Sequence, residues 1–387
     1  MAFISKYDTP AWKKRLMGAV DYVKYNWIRP VVAEVLYYGY YQFTFPRIHK
    51  TVDGKPLKPG ISVYIPMKDE DTFLTTCLES LLDIVDQYIL IDNGSTDNTL
   101  KILHEFKDKY GDKKDIVILH LPDKLLVEIV QIALTYVKHH WVLKWDGDMV
   151  AVTEGDQNLI TLRKKIIHQT RPVAYTLPRM NLCGDFFHVP KNFSVIDAGE
   201  PFLRTFNNAF RFFEDGGRVE HAIIPKYYRL TRVNYICSVH LSKIRPLLRL
   251  IYREMYLDWR EVMNRSTERD KKRFADFEVW KNAWKLHNFG TTDERKLKFR
   301  VGRLFATMSV KNTHSGFRLP TVLQELVAQR KHKFEIEYRD GAPYRMVEID
   351  DVSMQSYQPD SDDLAWEPSE SRYYSDKQRF GFTDLYQ

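Results

Sequence analysis

Along residues 60–150 the apolar positions switch repeatedly between a strand pattern and a helix pattern. Ile61 to Ile65 is a β-rich run of strand length, closed by Pro66, whose ring cannot continue a ladder. From Thr72 to Asp86 the residues Phe73, Leu74, Cys77, Leu78, Leu81, Leu82 and Val85 recur at spacings of three and four, which predicts an amphipathic helix. Tyr88-Ile89-Leu90-Ile91 predicts a second buried strand. Leu100, Leu103 and Phe106 then mark a helix that Ser95 or Thr96 can cap. A third strand from Ile116 to Leu119 and a helix from about Leu125 to Val137 lead to the apolar run Trp141-Val142-Leu143-Lys144-Trp145. Such alternation with short links implies an α/β fold with a mainly parallel sheet, whose ligands bind at the strand carboxyl ends.

Two acidic clusters fall at those ends. Asp92-Asn93-Gly94-Ser95-Thr96-Asp97 follows the second strand, and Asp146-Gly147-Asp148 follows the fourth. Alternate side chains of an extended segment share a face, so Asp146 and Asp148 can look out in one direction, with Gly147 leaving room for close approach. Two carboxylates so placed suit a hard divalent cation, Mn2+ or Mg2+, that carries phosphate oxygens. Taken alone, the triplet reads more simply as a Gly-centred surface turn. Its position beside Asp92 favours the cation. No Gly-x-Gly-x-x-Gly follows the first strand and no Walker-type loop is present, which argues against hydride chemistry and P-loop phosphate binding.

The segment ISVYIPMKDEDTFLTTCLESLLDIVDQYILIDNGSTDNTLKIL, followed by VLKWDGDMV, resembles the nucleotide-sugar domain of family-two glycosyltransferases, which have the GT-A, Rossmann-like fold. The resemblance is strong over residues 60–150 and weaker to about 245. It implies that Pro66, Asp69 and Glu70 border the nucleotide, that Asp92 meets the nucleobase, and that Asp146 lies near the ribose with Asp148 on the metal. Lys68-Asp69-Glu70 departs from the usual Asn-Glu, which puts the contacts of Asp69 in question. A second block, PFLRTFNNAFRFFEDGGRVEHAII, resembles the family's acceptor side. The family inverts, so a carboxylate must take the acceptor proton. Asp215 and Glu220 are the candidates, with Glu214 behind them, and each reads equally as part of a solvated turn around Gly216-Gly217. Arg204 is expected to steady a phosphate or an acidic acceptor, or else to be a surface arginine.

His240, in YICSVHLSK, matches the place where relatives put a metal- or diphosphate-contacting histidine. Imidazole is an acceptable ligand to manganese-type cations, and a hydrogen-bonded structural histidine is the alternative. His188 and His221 rank below it. The resemblance thus implies a metal-dependent inverting glycosyltransferase that uses a nucleoside-diphosphate sugar, foremost a UDP-sugar.

Composition then bounds the rest. A chain of 387 residues with 44% hydrophobic content has room for one catalytic domain, expected over 59–242, and additions. Residues 1–58 read as an N-terminal helical extension, 243–345 as a basic helical appendage and 346–387 as an acidic, mobile tail. Trp and Tyr crowd residues 10–45 behind a basic start. That segment is either a helix packed on the catalytic domain, which the aromatic load favours, or a peripheral membrane contact. Three cysteines, Cys77, Cys183 and Cys237, make no disulfide framework, and no apolar stretch is long enough to span a bilayer. Asn93-Gly94-Ser95 is a glycosylation sequon on the expected nucleotide loop, where a glycan would block the site; a cytoplasmic location is expected.

A net charge of +7, with basic residues concentrated between Pro225 and Lys333, fits an anionic partner. Family frequency favours a surface glycan or lipid-linked glycan as acceptor. The alternative is DNA with hydroxymethylated bases, as for a viral DNA-modifying transferase, with Trp259, Trp280 and Trp284 among the basic residues to hold an opened strand. A catalytically dead nucleic-acid- or membrane-binding protein on a transferase core is the remaining class.

Overall fold

The computed structural model describes residues 23, 27–122, 124–191, 195–197, 201–214, 220–265, 268–314 and 317–368. The chain divides into two compact units, one comprising 1–180, 196–240 and 320–322, the other 181–195, 241–319 and 323–387.

In chain order the strands begin with β1 (Lys58–Met67), β2 (Gln87–Asp92), β3 (Asp115–His120) and β4 (His139–Lys144) of the first unit. Two short strands, β5 (Met149–Ala151) and β6 (Val173–Thr176), follow, then β7 (Arg179–Cys183), β8 (His188–Pro190), β9 (Ile196–Asp197) and β10 (Pro201–Thr205). β11 (Arg211–Glu214), β12 (Glu220–Ile223), β13 (Arg229–Arg232) and β14 (Ser238–Lys243) come next. The main sheet of the first unit has seven strands in the order β13-β6-β10-β4-β1-β2-β3. β1 pairs in parallel with both β2 and β4, and β2 with β3, while β10 runs antiparallel between β4 and β6. The fold is α/β with a mainly parallel sheet, as the sequence pattern predicts.

Both faces of that sheet are apolar, because successive side chains point to opposite sides. Ile61, Val63, Ile65, Tyr88, Leu90, Trp141 and Leu143 enter one core with Leu74 and Leu78 of the helix Leu74–Glu79, Leu103 and Phe106 of Thr99–Tyr110, and Leu162 of Leu159–Ile166. Tyr64, Ile89, Ile91 and Val142 enter the other, against Ile129, Val130 and Ala133 of the helix Leu126–Leu134 and Phe45 of Gln42–Ile48. Each such burial contributes about 1.5–3 kcal/mol.

Several boundaries differ from the sequence reading. The helix expected over Thr72–Asp86 is confined to Leu74–Glu79, after which Leu81, Leu82 and Val85 fill the core from turns. Neither Ser95 nor Thr96 caps the next helix. It starts at Thr99, whose N–H is taken by Asp97 Oδ1 at 2.8 Å, because Ser95 Oγ instead accepts from the Asp69 N–H.

The second unit pairs β8 with β15 (Ser309–Lys311) and closes a hairpin from β16 (Phe334–Arg339) and β17 (Ala342–Glu348). Its helices include Leu247–Arg265, Glu268–Arg273, Phe277–Phe289 and Glu294–Thr307, which make the expected appendage helical over much of its length. Asp276 caps Phe277–Phe289 at Glu278 N–H, 2.8 Å away. Trp280 is fully buried with its indole N–H on Met255 O, and Trp284 is buried with its own on Asp258. These indoles are core, so they offer no surface on which a base could stack. Residues 346–368, expected to belong to a mobile tail, instead form the end of β17 and two short helices, Val352–Gln355 and Ser361–Ala365. Asp363 holds them in place through a buried pair with Arg300. Residues 369–387 of that expected tail lie outside the described residues.

In the N-terminal extension, Arg29–Leu36 and Gln42–Ile48 are α-helical and Tyr37–Tyr41 between them is a π-helical turn. Tyr41 packs its ring 4.0 Å from that of Tyr227, and Arg29 donates to Pro225 O. Among the described residues no helix is long and apolar enough to cross a membrane.

Candidate functional site

The carboxyl ends of β1, β2 and β4 bring three loops together. After β4, the Trp145 indole N–H donates to Met149 O at 2.9 Å and Met149 N–H to Asp146 O at 3.2 Å, closing a tight turn that carries Asp146, Gly147 and Asp148. A Cβ at Gly147 would lie 3.3 Å from Glu70 Cγ and 3.4 Å from Met67 Cβ, so glycine lets this turn sit directly against the loop that follows β1. Asp148 is nearly buried, and Asp146 keeps about a third of its side chain exposed.

Strand pairing supplies the third group. β14 runs antiparallel to β5 with His240 opposite Met149, which sets the imidazole Nε2 3.3 Å from Asp148 Oδ1. One ligand atom from each of Asp146, Asp148 and His240 falls within 4.8 Å of the others. Two carboxylates and an imidazole fit a manganese- or magnesium-type cation and leave coordination positions for phosphate oxygens. Cys237, just before β14, is no competing thiolate, since burial pushes its thiol up to about 12.

The loops after β1 and β2 are stapled together by hydrogen bonds. Asp69 adopts a left-handed backbone, φ 56°, and its Oδ1 accepts from the Thr96 N–H at 2.7 Å. The N–H groups of Asp69, Glu70 and Asp71 donate in turn to Ser95 Oγ, Thr99 Oγ1 and Asp97 Oδ2. Asp69 thus shapes the loop. Pro66 ends the strand beside them, in register with Ile91.

Asp92 has no exposed surface. Its carboxylate accepts from Gly94 N–H at 3.2 Å, from Ser95 N–H at 3.1 Å and from His120 Nδ1 at 2.7 Å. Gly94 takes the positive φ of 76° that this tight loop requires. His120 ends β3, directly in register with Asp92, and half of its side chain is exposed. The group at this strand end that reaches solvent is therefore His120, which Asp92 orients. The sequence reading missed it, although the β3 pattern ending at a histidine was visible.

Arg179 was missed as well. It opens β7 and places its guanidinium 3.5 Å from Asp146 Oδ2. Nothing in the spacing between residues 148 and 179 foretells that return. Arg204, expected to steady a phosphate or an acidic acceptor, is enclosed: it lies on β10 between β4 and β6, 2% exposed, with its guanidinium 4.5 Å over the Phe210 ring. An interior strand of the sheet holds it away from solvent.

Of the expected base candidates, Asp215 lies outside the described residues. Glu214 and Glu220 face each other across the β11–β12 hairpin, and the placement of their side chains and of His221 lies outside the description. His188 belongs to the second unit, where Asp185 and the Tyr338 hydroxyl hold its two ring nitrogens at 2.6 Å each.

Residues 62–180 match the family described as Glycosyl transferase family 2. No curated protein matches the chain. Among solved structures, S. aureus TarS 1-349 is 15% identical over 74% of this chain and 98% of that one, with a TM-score of 0.33. The mannosyltransferase PcManGT from Pyrobaculum calidifontis, solved with GDP-Man and Mn2+, is 13% identical over 78% of this chain and 90% of that one, with a TM-score of 0.34. Glucosyl-3-phosphoglycerate synthase from Mycobacterium tuberculosis, solved with Mn2+ and UDP, is 19% identical over 30% and 43%, with a TM-score of 0.22.

Proposed function

We propose, from the match of residues 62–180 to Glycosyl transferase family 2, that the chain is a metal-dependent inverting transferase using a nucleoside-diphosphate sugar, foremost a UDP-sugar. The observation that carries this reading is the convergence of Asp146, Asp148 and His240 at the carboxyl end of the parallel sheet.

In this reading Asp146, Asp148 and His240 hold Mn2+ or Mg2+. When bound, such a cation offsets the negative charge that collects on a departing diphosphate. Arg179 adds a fixed positive charge beside Asp146. Pro66 and Glu70 border the nucleotide, and Asp69 shapes that border by holding the β2 loop. Asp92 acts on the nucleobase through His120: a carboxylate only accepts, so His120 Nδ1 donates to it, which orients the ring and leaves Nε2 for the base. Asp215 or Glu220 takes the proton from the acceptor hydroxyl as the sugar carbon is attacked from the face opposite the diphosphate.

A surface glycan or lipid-linked glycan is the acceptor we favour. The burial of Trp280 and Trp284 takes two of the three tryptophans expected to hold an opened DNA strand away from it and leaves only Trp259 partly exposed. The test is release of nucleoside diphosphate from UDP-sugars, with Mn2+ and with chelator, followed by analysis of the anomer formed. Mn2+-dependent release with inversion is expected. Release unaffected by chelator, or with retention, would overturn the reading. Duplex DNA binding that falls steeply with salt would instead favour the nucleic-acid acceptor.

A further inference from the structure

The N-terminal helical segment has two apolar faces, and among the described residues one of them is covered. Ala33 and Phe45 are buried, and Leu36, Tyr37, Tyr41 and Ile48 pack against the core that contains Tyr227 and Tyr228. The opposite face presents Trp27, Ile28, Val31, Val35, Tyr40 and Phe43, which are 55–71% exposed. Trp27, Val31 and Val35 repeat at the four-residue spacing of a single helical stripe. The π-helical turn Tyr37–Tyr41, with no buried residue, carries the stripe on toward Phe43. Apolar side chains gathered on one exposed face, rather than scattered singly, are what interaction surfaces present.

We propose that this stripe is a docking surface for an anionic lipid bilayer, against which the helix lies in the interfacial plane. Charge supports that occupant. Residues 1–50 hold eight Lys and Arg against three Asp and Glu. Between residues 27 and 50 the sole acid is Glu34, which faces Arg171 at 3.6 Å, while Arg47 and Lys50 are exposed at the end of the segment. Arg171 itself stands over the rings of Tyr37 and Tyr38. Indole, phenol and aliphatic groups flanked by cations are what the boundary between headgroups and acyl chains accepts. A fluid bilayer takes up an exposed apolar stripe without a preformed groove. The inference goes beyond the transfer reading and stands or falls separately from it.

The experiment is co-sedimentation of the full chain with vesicles of phosphatidylcholine and phosphatidylglycerol, and with phosphatidylcholine alone. The wild type is expected to bind the anionic vesicles about tenfold more tightly or better. Combined Trp27→Ser, Val31→Ser, Val35→Ser and Phe43→Ser should reduce that binding by at least about tenfold, since each replaced side chain points away from the core. The melting temperature should be unchanged. Should that variant fold poorly, Arg47→Glu with Lys50→Glu gives an independent reading, with loss confined to the anionic vesicles. Absence of wild-type binding to either vesicle, or binding unaffected by both sets of substitutions, would overturn the proposal. So would a wild-type dimer that the stripe substitutions convert to monomer, because a second copy would then be the occupant.

Discussion

Asp363→Ala tests whether the acidic segment after β17 is part of the folded second unit. Asp363 is fully buried and Arg300 is 6% exposed. Arg300 Nε and Nη2 each lie 2.9 Å from Asp363 Oδ1, and Arg300 Nη1 donates to Phe289 O at 2.6 Å. The Tyr357 hydroxyl also donates to the carboxylate. Removing one member of a buried pair leaves the other charge without compensation, which costs about 3–5 kcal/mol. Taking about 4 kcal/mol, the folding equilibrium of this unit drops by about a thousandfold. Asp363→Asn keeps an acceptor for Arg300 and should cost less. The assay is urea unfolding followed by tryptophan fluorescence, since Trp259, Trp280, Trp284 and Trp366 all belong to this unit. A loss under about 1 kcal/mol, the size of an exposed surface pair, would refute the reasoning and return the segment to the status of a tail.

The other perturbations follow from the first unit. His49 is half-buried beside His140 and hydrogen-bonded to Phe206 O, and desolvation lowers its pKa from 6.5 to about 4. The unfolded chain therefore binds the proton more readily, so this contribution is complete above pH 6.5 and is lost as pH falls toward 4, by about 3 kcal/mol in all. Urea midpoints at pH 7 and pH 5 should differ in that direction and differ less in His49→Gln, where His139 and His140, also lowered by burial, remain; equal midpoints in the wild type would contradict it. His120→Ala should weaken nucleotide affinity about tenfold, and Asp92→Ala should do so at least as strongly because it also frees the Gly94–Ser95 loop; unchanged affinity in both places the base elsewhere. Asp215→Asn and Glu220→Gln should differ in transfer rate by about a hundredfold or more, with nucleotide affinity kept. Full rates in both would exclude both as the base.

The parallel core was legible because its strands and helices announce themselves by period. β1, β2 and β4 alternate between two apolar cores, so nearly every residue from Ile61 to Ile65 had to be apolar. Asp146 and Asp148 were legible because a strand ends beside them. His240 was reached through family resemblance, since only the β5–β14 pairing brings it to Asp148. What stayed hidden depends on contacts distant in sequence. Composition made residues 348–368 look like a solvated tail, yet Asp363 finds a buried arginine on another helix, and Asp351 and Asp360 find Lys298 and Lys296. The enclosure of Arg204 follows from β10 lying inside the sheet, which no local pattern signals. The loop-shaping role of Asp69 depends on a left-handed backbone that only the facing loop explains.

The central claim is that Asp146, Asp148 and His240 form a cation site used by a nucleoside diphosphate. Calorimetric titration of UDP, with GDP in parallel, into the wild type and Asp148→Ala, each with Mn2+ and with chelator, tests it most directly. Binding by the wild type is expected to require Mn2+ and to weaken on the order of a hundredfold in the variant, with the melting temperature unchanged. Binding of equal strength without the cation, or undiminished in Asp148→Ala, would contradict it.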